Sequence, residues 1–513
     1  MTGARQVSGA RARGLLVAGT SSDAGKSLVV AGICRVLARR GVAVAPFKAQ
    51  NMSNNSMVCA DGAEIGRAQY LQAQAAGVPA ESAMNPVLLK PGTDRRSFIV
   101  VRGRPGGHLE AGEYVGGRRH LAEAAFAAYR ELADRFEVVV CEGAGSPAEI
   151  NLRSGDYVNL GLAREFDLPV LVVGDIDRGG MLASLYGTWA LLDPPDRELL
   201  SAFVVNKFRG DEDVLRPGLE EITRRTGVPF LGVLPFLPGM WLDSEDSLVV
   251  GRWTPSPSDS ADDVTGGGDR LRVAVVRFPR VSNATDIDAL AAEPGVEVLV
   301  TDSPRECEAA DLLILPGTRS TVGDLHWLRE RGIADVVERR ATSGRPVLGI
   351  CGGYQMLAGT LDDDVESGQG QVPGLGLLPI DVRFTPDKVL RRPTGTWRGH
   401  PVSGYEIHHG RVELEGWSPY LGANLGGRYG WSAEPFLGGW RVGQVWGTLW
   451  HGALESDAFR RAWLSEVAAG AGSPWRPQPG APAYVARREA MLDAVADAIE
   501  AHLDVEALLR LPR

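Results

Sequence analysis

Two stretches of this sequence have the residue types and spacing to do chemistry. The first is Gly19-Thr20-Ser21-Ser22-Asp23-Ala24-Gly25-Lys26-Ser27, set between an apolar run (residues 14–18) and a helix-compatible run (28–40). Strand, glycine-rich loop ending Gly-Lys-Ser, then helix is the context of a phosphate-binding loop. Backbone N–H groups and the helix dipole cradle phosphates there, Lys26 reaches the β- and γ-phosphates, and the Ser27 hydroxyl suits Mg²⁺. The spacing is a variant one: Gly19 lies one residue early and Thr20 takes the place of the expected glycine. The second stretch is Pro346-Val-Leu-Gly-Ile-Cys-Gly-Gly-Tyr-Gln355. A buried strand that stops at a cysteine, followed by two glycines and a helix, is the geometry of a nucleophile elbow. The Gly352 N–H then faces a developing oxyanion, and the helix N-terminus favours a thiolate. Taken alone, the same pattern equally suits a buried structural cysteine.

Further polar clusters stand at predicted strand ends, where open α/β sheets bind ligands. After a strand at 42–47 comes Lys48, with Gln50, Asn51, Ser53, Asn54, Asn55 and Ser56 close behind. The lysine suits a transferring phosphoryl group or a substrate carboxylate, and the amides suit carboxylate or amide groups of a substrate. Glu142 ends the run at 136–141 and precedes Gly143-Ala-Gly145, the place of a magnesium-directing carboxylate. Asn206 and Lys207 end another run, as a base-recognition loop would. Pro316-Gly317-Thr318 forms a second glycine turn after 311–315, a source of a further oxyanion donor. A thiol nucleophile needs a histidine. Of the eight in the chain, His408, His409 and His451 are the candidates, the last about 100 residues after Cys351, a separation partners commonly bridge in the fold.

Bulk properties narrow the class. The 513 residues suffice for two or three domains, and 44% hydrophobic with 23% charged residues is globular composition. A net charge of −10 argues against a nucleic-acid surface. Five scattered cysteines without a CxxC pair indicate neither a disulfide framework nor a zinc site, which fits a reducing cytoplasm. The first residues have no apolar stretch and do not read as a secretory signal, and no apolar run is long enough to span a membrane. Strands alternate with helices in both halves, so the fold class is α/β, with two doubly wound, mostly parallel-sheet domains. A Gly/Ser/Pro-rich linker covers 251–270, and the segments after the elbow turn β-rich.

Together these residues resemble a known family. Pro316-Gly-Thr, Gly349-Ile-Cys-Gly-Gly-Tyr-Gln355 and Trp446-Gly-Thr-Leu-Trp-His451 look like a class I, triad-type glutamine amidotransferase domain. The N-terminal half resembles dethiobiotin synthetase-like ATPases. The combination with residues 47–56, 142–147, 175–180, 205–210 and 404–408 is similar to the cobyrinate amidase family. The resemblance implies Cys351 and His451 as catalytic pair and Gly317, Thr318 and Gly352 as oxyanion donors. It implies Gly19, Thr20, Gly25, Lys26, Ser27, Lys48, Asn206 and Lys207 around ATP; Ser27, Glu142 and, by analogy, Asp61 around Mg²⁺; and Gln50, Asn51, Asn54 and Asn55 on the substrate. The family's usual third member, a glutamate two residues after the histidine, is Ala453 here, with Glu455 two further on, so that member is missing or displaced, as in the corrinoid branch.

The implied reaction is ATP- and glutamine-dependent amidation of the b, d, e and g carboxylates of adenosylcobyrinic acid a,c-diamide through acyl phosphates, with ammonia following a sheltered route from Cys351 toward Lys48. The alternatives are the sister enzyme that amidates a and c one step earlier, and a partition-type ATPase switch carrying an inactive amidase-like domain. The domains follow as a disordered extension 1–13, a P-loop-type synthetase domain 14–250, the linker, an amidotransferase domain 271–470 and a helical C-terminal tail 471–513. The partner is a small corrinoid, without nucleic acid or membrane; homo-oligomerisation stays open.

Overall fold

A computed structural model of the protein describes residues 13–91, 96–110, 119–238, 240, 270–414 and 432–512. Nearly all of the expected N-terminal extension and of the linker 251–270 therefore lies outside the described residues. The chain forms two compact units: Met1–Ser53 with Cys59–Asp243 and Arg488–Arg513, and Asn54–Val58 with Ser244–Arg487.

The core of unit 1 is a six-stranded parallel sheet of β1 (Arg13–Gly19), β2 (Val44–Phe47), β3 (Val138–Glu142), β4 (Val170–Asp175), β5 (Leu200–Phe208) and β6 (Phe230–Pro235), in the order β6-β5-β4-β1-β3-β2. Runs such as Val138-Val-Val-Cys141 and Val170-Leu-Val-Val173 are buried throughout, because helices cover both faces of a parallel sheet. Helix α1 (Lys26–Arg39) follows the phosphate loop directly. Strand order reverses beside β1, so the tips of β1 and β3 lie side by side, with Val17 opposite Glu142. Cys34 and Cys141 sit in this core, where burial pushes both thiols far up; they are structural.

A second sheet of unit 1 joins Gln50–Met52, Val87–Pro91, Arg96–Val101 and Arg104–Glu110. A short strand Glu64–Gly66 leads into the helix Arg67–Ala75. The C-terminal segment is no free tail. From Arg488 on, the helix α2 (Tyr484–His502) belongs to unit 1, with Leu492, Ala496 and Ile499 in one apolar cluster with Val29, Val30 and Ile33 of α1. Arg35 and Arg39 bind Asp493 along the same seam.

Unit 2 is built on a seven-stranded sheet of β7 (Leu271–Val276), β8 (Val296–Thr301), β9 (Leu312–Leu315), β10 (Val347–Ile350), β11 (Ala433–Phe436), β12 (Gly439–Val442) and β13 (Val445–Thr448). Its order is β8-β7-β9-β10-β13-β12-β11, parallel up to β13 and closed by an antiparallel edge. The parallel pairing of β10 with β13, Ile350 opposite Thr448, brings the ends of two strands far apart in sequence together. A mixed sheet of Thr360–Asp363, Gly370–Pro373, Ile380–Arg391 and Glu406–Leu414 accounts for the β-rich pattern after the elbow.

Candidate active site

Cys351 leaves β10 at φ 50°, ψ −109°, a backbone conformation costly for a non-glycine residue and typical of sites where strain is held for function. Its neighbours must be small. A Cβ on Gly353 would lie 2.0 Å from the Leu315 carbonyl oxygen, and one on Gly352 2.7 Å from Thr318 Cγ2 and 3.1 Å from Thr318 N. The elbow and the turn after β9 thus meet backbone to backbone. Gly352 opens the helix Gly352–Gln355, so its N–H has no acceptor within that helix. The turn is pinned by Ser282 N donating to Gly317 O at 2.8 Å and by Thr318 Oγ1 donating to Arg280 O at 3.0 Å. Gly317 also faces the imidazole: a Cβ there would lie 3.0 Å from His451 Cε1. The three expected oxyanion residues are therefore grouped around the nucleophile and its histidine.

His451 is 1% exposed. Its Nδ1 lies 2.7 Å from Asp286 Oδ2, while Asp286 Oδ1 accepts from Gly452 N at 2.8 Å, so both carboxylate oxygens are held. Tyr405 stacks on the other side, centroids 5.3 Å apart, and its backbone pairs with that of His451. Burial opposes the charged imidazole, but Asp286 and Cys351 outweigh it and push His451 up to about 10. The arrangement is a cysteine sulfur, a protonated imidazole and an orienting carboxylate, the set needed to attack an amide carbon and protonate its leaving nitrogen.

Asp286 is the member the sequence did not disclose. It lies 165 residues before His451, in the short helical turn Ala284–Ile287 after β7. The one available signal was a polar run, Ser282-Asn-Ala-Thr-Asp286, at the carboxyl end of a parallel strand. Ala453 and Glu455 sit in the turn that follows, and the carboxylate bonded to Nδ1 is that of Asp286. His408 and His409 line the neighbouring strand. His408 Nδ1 is 2.8 Å from the Gly410 carbonyl, and burial lowers its pKa to about 4, so it stays neutral.

The second cluster sits at the tips of β1, β2 and β3. Glu142 is fully buried and takes three donors: Lys48 Nζ at 2.9 Å, Ser27 Oγ at 2.9 Å and Gln72 Nε2 at 2.5 Å. Burial opposes its ionisation, but Lys48, Gln72 and Lys26 outweigh that and hold it below the usual carboxylate range. Lys26 Nζ bonds the carbonyls of Ser21 and Ser22 at 2.8 and 2.9 Å, drawn back over its own loop. Gly25 is held at φ 96°, and a Cβ there would lie 2.1 Å from Asn206 Nδ2. Asn206 donates to Ala24 O, and Lys207 Nζ to Asp23 O and Asp175 Oδ2, so both residues brace the phosphate loop.

Ser27 and Glu142 offer hard oxygen donors side by side beside a phosphate loop, which suits Mg²⁺. Asp61 is exposed and accepts from Ala63 N in its own turn, so nothing brings it to this cluster. Gln50 accepts from Tyr157 Oη at 2.6 Å and Asn51 donates to Gln69 at 3.0 Å, both in unit 1, whereas Asn54 and Asn55 belong to unit 2.

Comparison with known proteins bears on both clusters. Residues 15–247 match the model of the CobQ/CobB/MinD/ParA nucleotide binding domain, and residues 272–459 that of the CobB/CobQ-like glutamine amidotransferase domain. Cobyric acid synthase of Cutibacterium acnes is 64% identical over 504 residues, 98% of this chain and 100% of that one. The cobyric acid synthase of Streptomyces avermitilis is 56% identical over 499 residues, 97% and 96% of the two chains. That of Mycolicibacterium gilvum is 53% identical over 506 residues, 98% and 96% of the two chains. Among the described residues, no helix is long and apolar enough to cross a membrane.

Proposed function

Because this chain belongs to the cobyric acid synthase family, we propose that its two clusters are the two half-sites of one glutamine-dependent amidoligase of cobalamin biosynthesis, which makes adenosylcobyric acid. The observation that carries this is the Cys351–His451–Asp286 constellation in a chain that also holds the Lys26–Ser27–Lys48–Glu142 cluster. In the glutaminase half, Cys351 Sγ, its proton held by His451, attacks the glutamine amide carbon while the Gly352 and Thr318 N–H groups take the oxyanion. The His451 imidazolium gives that proton to the departing nitrogen, and ammonia leaves. Water, deprotonated by the now neutral imidazole, cleaves the thioester to glutamate and restores the sulfur–imidazolium pair.

In the synthetase half, a corrinoid carboxylate oxygen attacks the γ-phosphorus of ATP, ADP departs, and ammonia displaces phosphate from the acyl phosphate to form the amide. Lys26 and Lys48 carry the charge of the transferring group, and Ser27 and Glu142 are the residues that hold magnesium. Magnesium, when bound, neutralises phosphate charge. Gln50, Asn51 and Asn54 serve the corrinoid side chains. The acceptors are the b, d, e and g carboxylates of adenosylcobyrinic acid a,c-diamide. The test is turnover of purified protein with ATP, glutamine and either the a,c-diamide or the undiamidated acid. Fourfold amidation of the diamide is expected; turnover of the undiamidated acid alone overturns the assignment.

A further inference from the structure

One segment of the chain is used in a way the reaction above leaves unexplained. Six positions after Lys48, the chain enters unit 2 as Asn54–Val58 and then returns to unit 1. Within unit 2 this segment is buried: Asn55 is 3% exposed, Ser56 and Val58 0%. Two hydrogen bonds tie it reciprocally to the turn that carries Asp286. Asn55 Oδ1 accepts from Ala284 N at 3.1 Å, and Asn283 Oδ1 accepts from Ser56 N at 2.9 Å. Asn283 is held at φ 52°, the left-handed region that asparagine tolerates better than most residues. Its side chain faces the segment, and its backbone starts the turn of Asp286.

The same segment reaches the other side of the histidine. Val58 packs with Tyr405 and Ile407. Tyr405 stacks on the His451 ring, and the Ile407 carbonyl lies 3.9 Å from Cys351 Sγ. The segment thus backs the carboxylate that holds Nδ1, the ring that lies on the imidazole, and the carbonyl beside the thiol. A small displacement of 54–58 would act on three supports of the glutaminase centre at once, and misplacement near 1 Å costs about 100-fold in such sites.

We propose that Asn54–Val58 is a positioning element of the glutaminase centre, clasped through Asn55 and Asn283, and that it makes glutamine hydrolysis depend on the state of the loop that begins at Lys48. The inference rests on the two-half-site reading above. Through the chain from Lys48 to Val58, the clasp's hydrogen bonds and the packing of Val58 couple that loop to Asp286 and Tyr405, so that glutamine is hydrolysed fastest when ATP and acceptor are bound and ammonia has a destination.

Asn283→Gly tests it, because glycine keeps the left-handed backbone and removes the side chain that carries the acceptor. Three rates are measured in full-length protein: glutamine hydrolysis alone, glutamine hydrolysis with ATP and corrinoid a,c-diamide, and amidation supported by ammonium salt. Wild type is expected to hydrolyse glutamine faster with ATP and acceptor present. Asn283→Gly is expected to lose that stimulation and to lower glutaminase kcat about 10- to 100-fold, as misplaced supports do, with little change in the KM for glutamine. Ammonia-supported amidation stays within twofold, and Asn283→Asp, which keeps the acceptor, restores most of the rate. Asn55→Ala should reproduce the glutaminase defect.

Unchanged stimulation in Asn283→Gly overturns the proposal. So does a parallel loss of ammonia-supported amidation with a lowered Tm, which marks a merely structural contact. A wild type whose glutaminase ignores ATP and acceptor overturns it as well. A wild type that hydrolyses no glutamine at all defeats the two-half-site reading itself, whatever the variants do.

Discussion

The two centres of this protein are in opposite states of readiness. Around Cys351, strain at the nucleophile, the ion pair of Asp286 with His451 and the close-packed glycine turns hold every group where the reaction needs it. Around Glu142, the charges that should meet ATP meet one another: Lys48 binds Glu142, Lys26 binds its own loop's carbonyls, and Lys207 binds Asp175. In the proposed reaction the first centre needs only its substrate, whereas the second exchanges internal partners for phosphate, and its internal pairs keep buried charges satisfied until then. Preorganisation suits a step whose nucleophile is part of the protein. Partner exchange suits one where both reacting groups arrive from solution with charge.

Four measurements separate these states, from the largest effect down. Cys351→Ser is expected to lower glutamine-dependent amidation by more than about 1,000-fold, the scale of losing a covalent nucleophile, while ammonium salt still supports turnover. If ammonia fails to rescue it, the two centres are not separable.

Asp286→Asn tests the preorganised side. With the carboxylate, His451 is raised above its ordinary 6.5 to about 10. The stabilisation of its charged form is therefore complete below about pH 6.5 and is lost as pH rises through about 10. Removing the carboxylate's charge should lower glutamine kcat/KM by about 10²- to 10⁴-fold, as for the orienting acid of a triad, and move the alkaline limb of the pH profile to lower pH. A limb that stays in place would assign the raised value to something other than Asp286.

Lys48→Met tests the exchanging side. It strands a fully buried Glu142, so unfolding by denaturant should show a loss of about 3–5 kcal/mol that a second change, Glu142→Gln, largely recovers. Additive losses would mean that the pair does not matter as a pair. Smallest is Arg39→Ala. Its ion pairs to Asp493, Asp497 and Glu500 are partly exposed, and their loss should cost about 0.2–1 kcal/mol, a Tm change of a degree or two, with activity unaltered.

What the sequence disclosed follows the same division. The elbow, the phosphate loop and the alternation of strands with helices are local patterns, each set by a few adjacent residues whose sterics admit little else. The places of Cys351 at the end of a strand before a short helix, of Lys26 and Ser27 at the start of a helix, and of Glu142 at a strand tip were legible for that reason. His451 needed the family's motif, since only the β10–β13 pairing brings it to the cysteine. Asp286 was illegible: any acid at a strand's carboxyl end reads alike, and its role is fixed by a contact across 165 positions. The asparagines after Lys48 illustrate the converse. Their composition suited a ligand loop, yet Asn55 is occupied by a backbone N–H of unit 2. Lys207, read as part of a nucleotide-base loop, braces the phosphate loop instead.

The packing of α2 against α1 has a consequence for how the molecule is made. Leu492, Ala496, Ile499, Leu503 and Leu508 complete the apolar layer over α1, yet they follow all of unit 2 in the chain. The whole of Ser244–Arg487 is synthesised before them. Unit 2 can therefore finish folding while one face of the ATPase sheet still lacks its cover. A chain cut short before Arg488 would carry all of Ser244–Arg487 and an uncovered apolar face on α1.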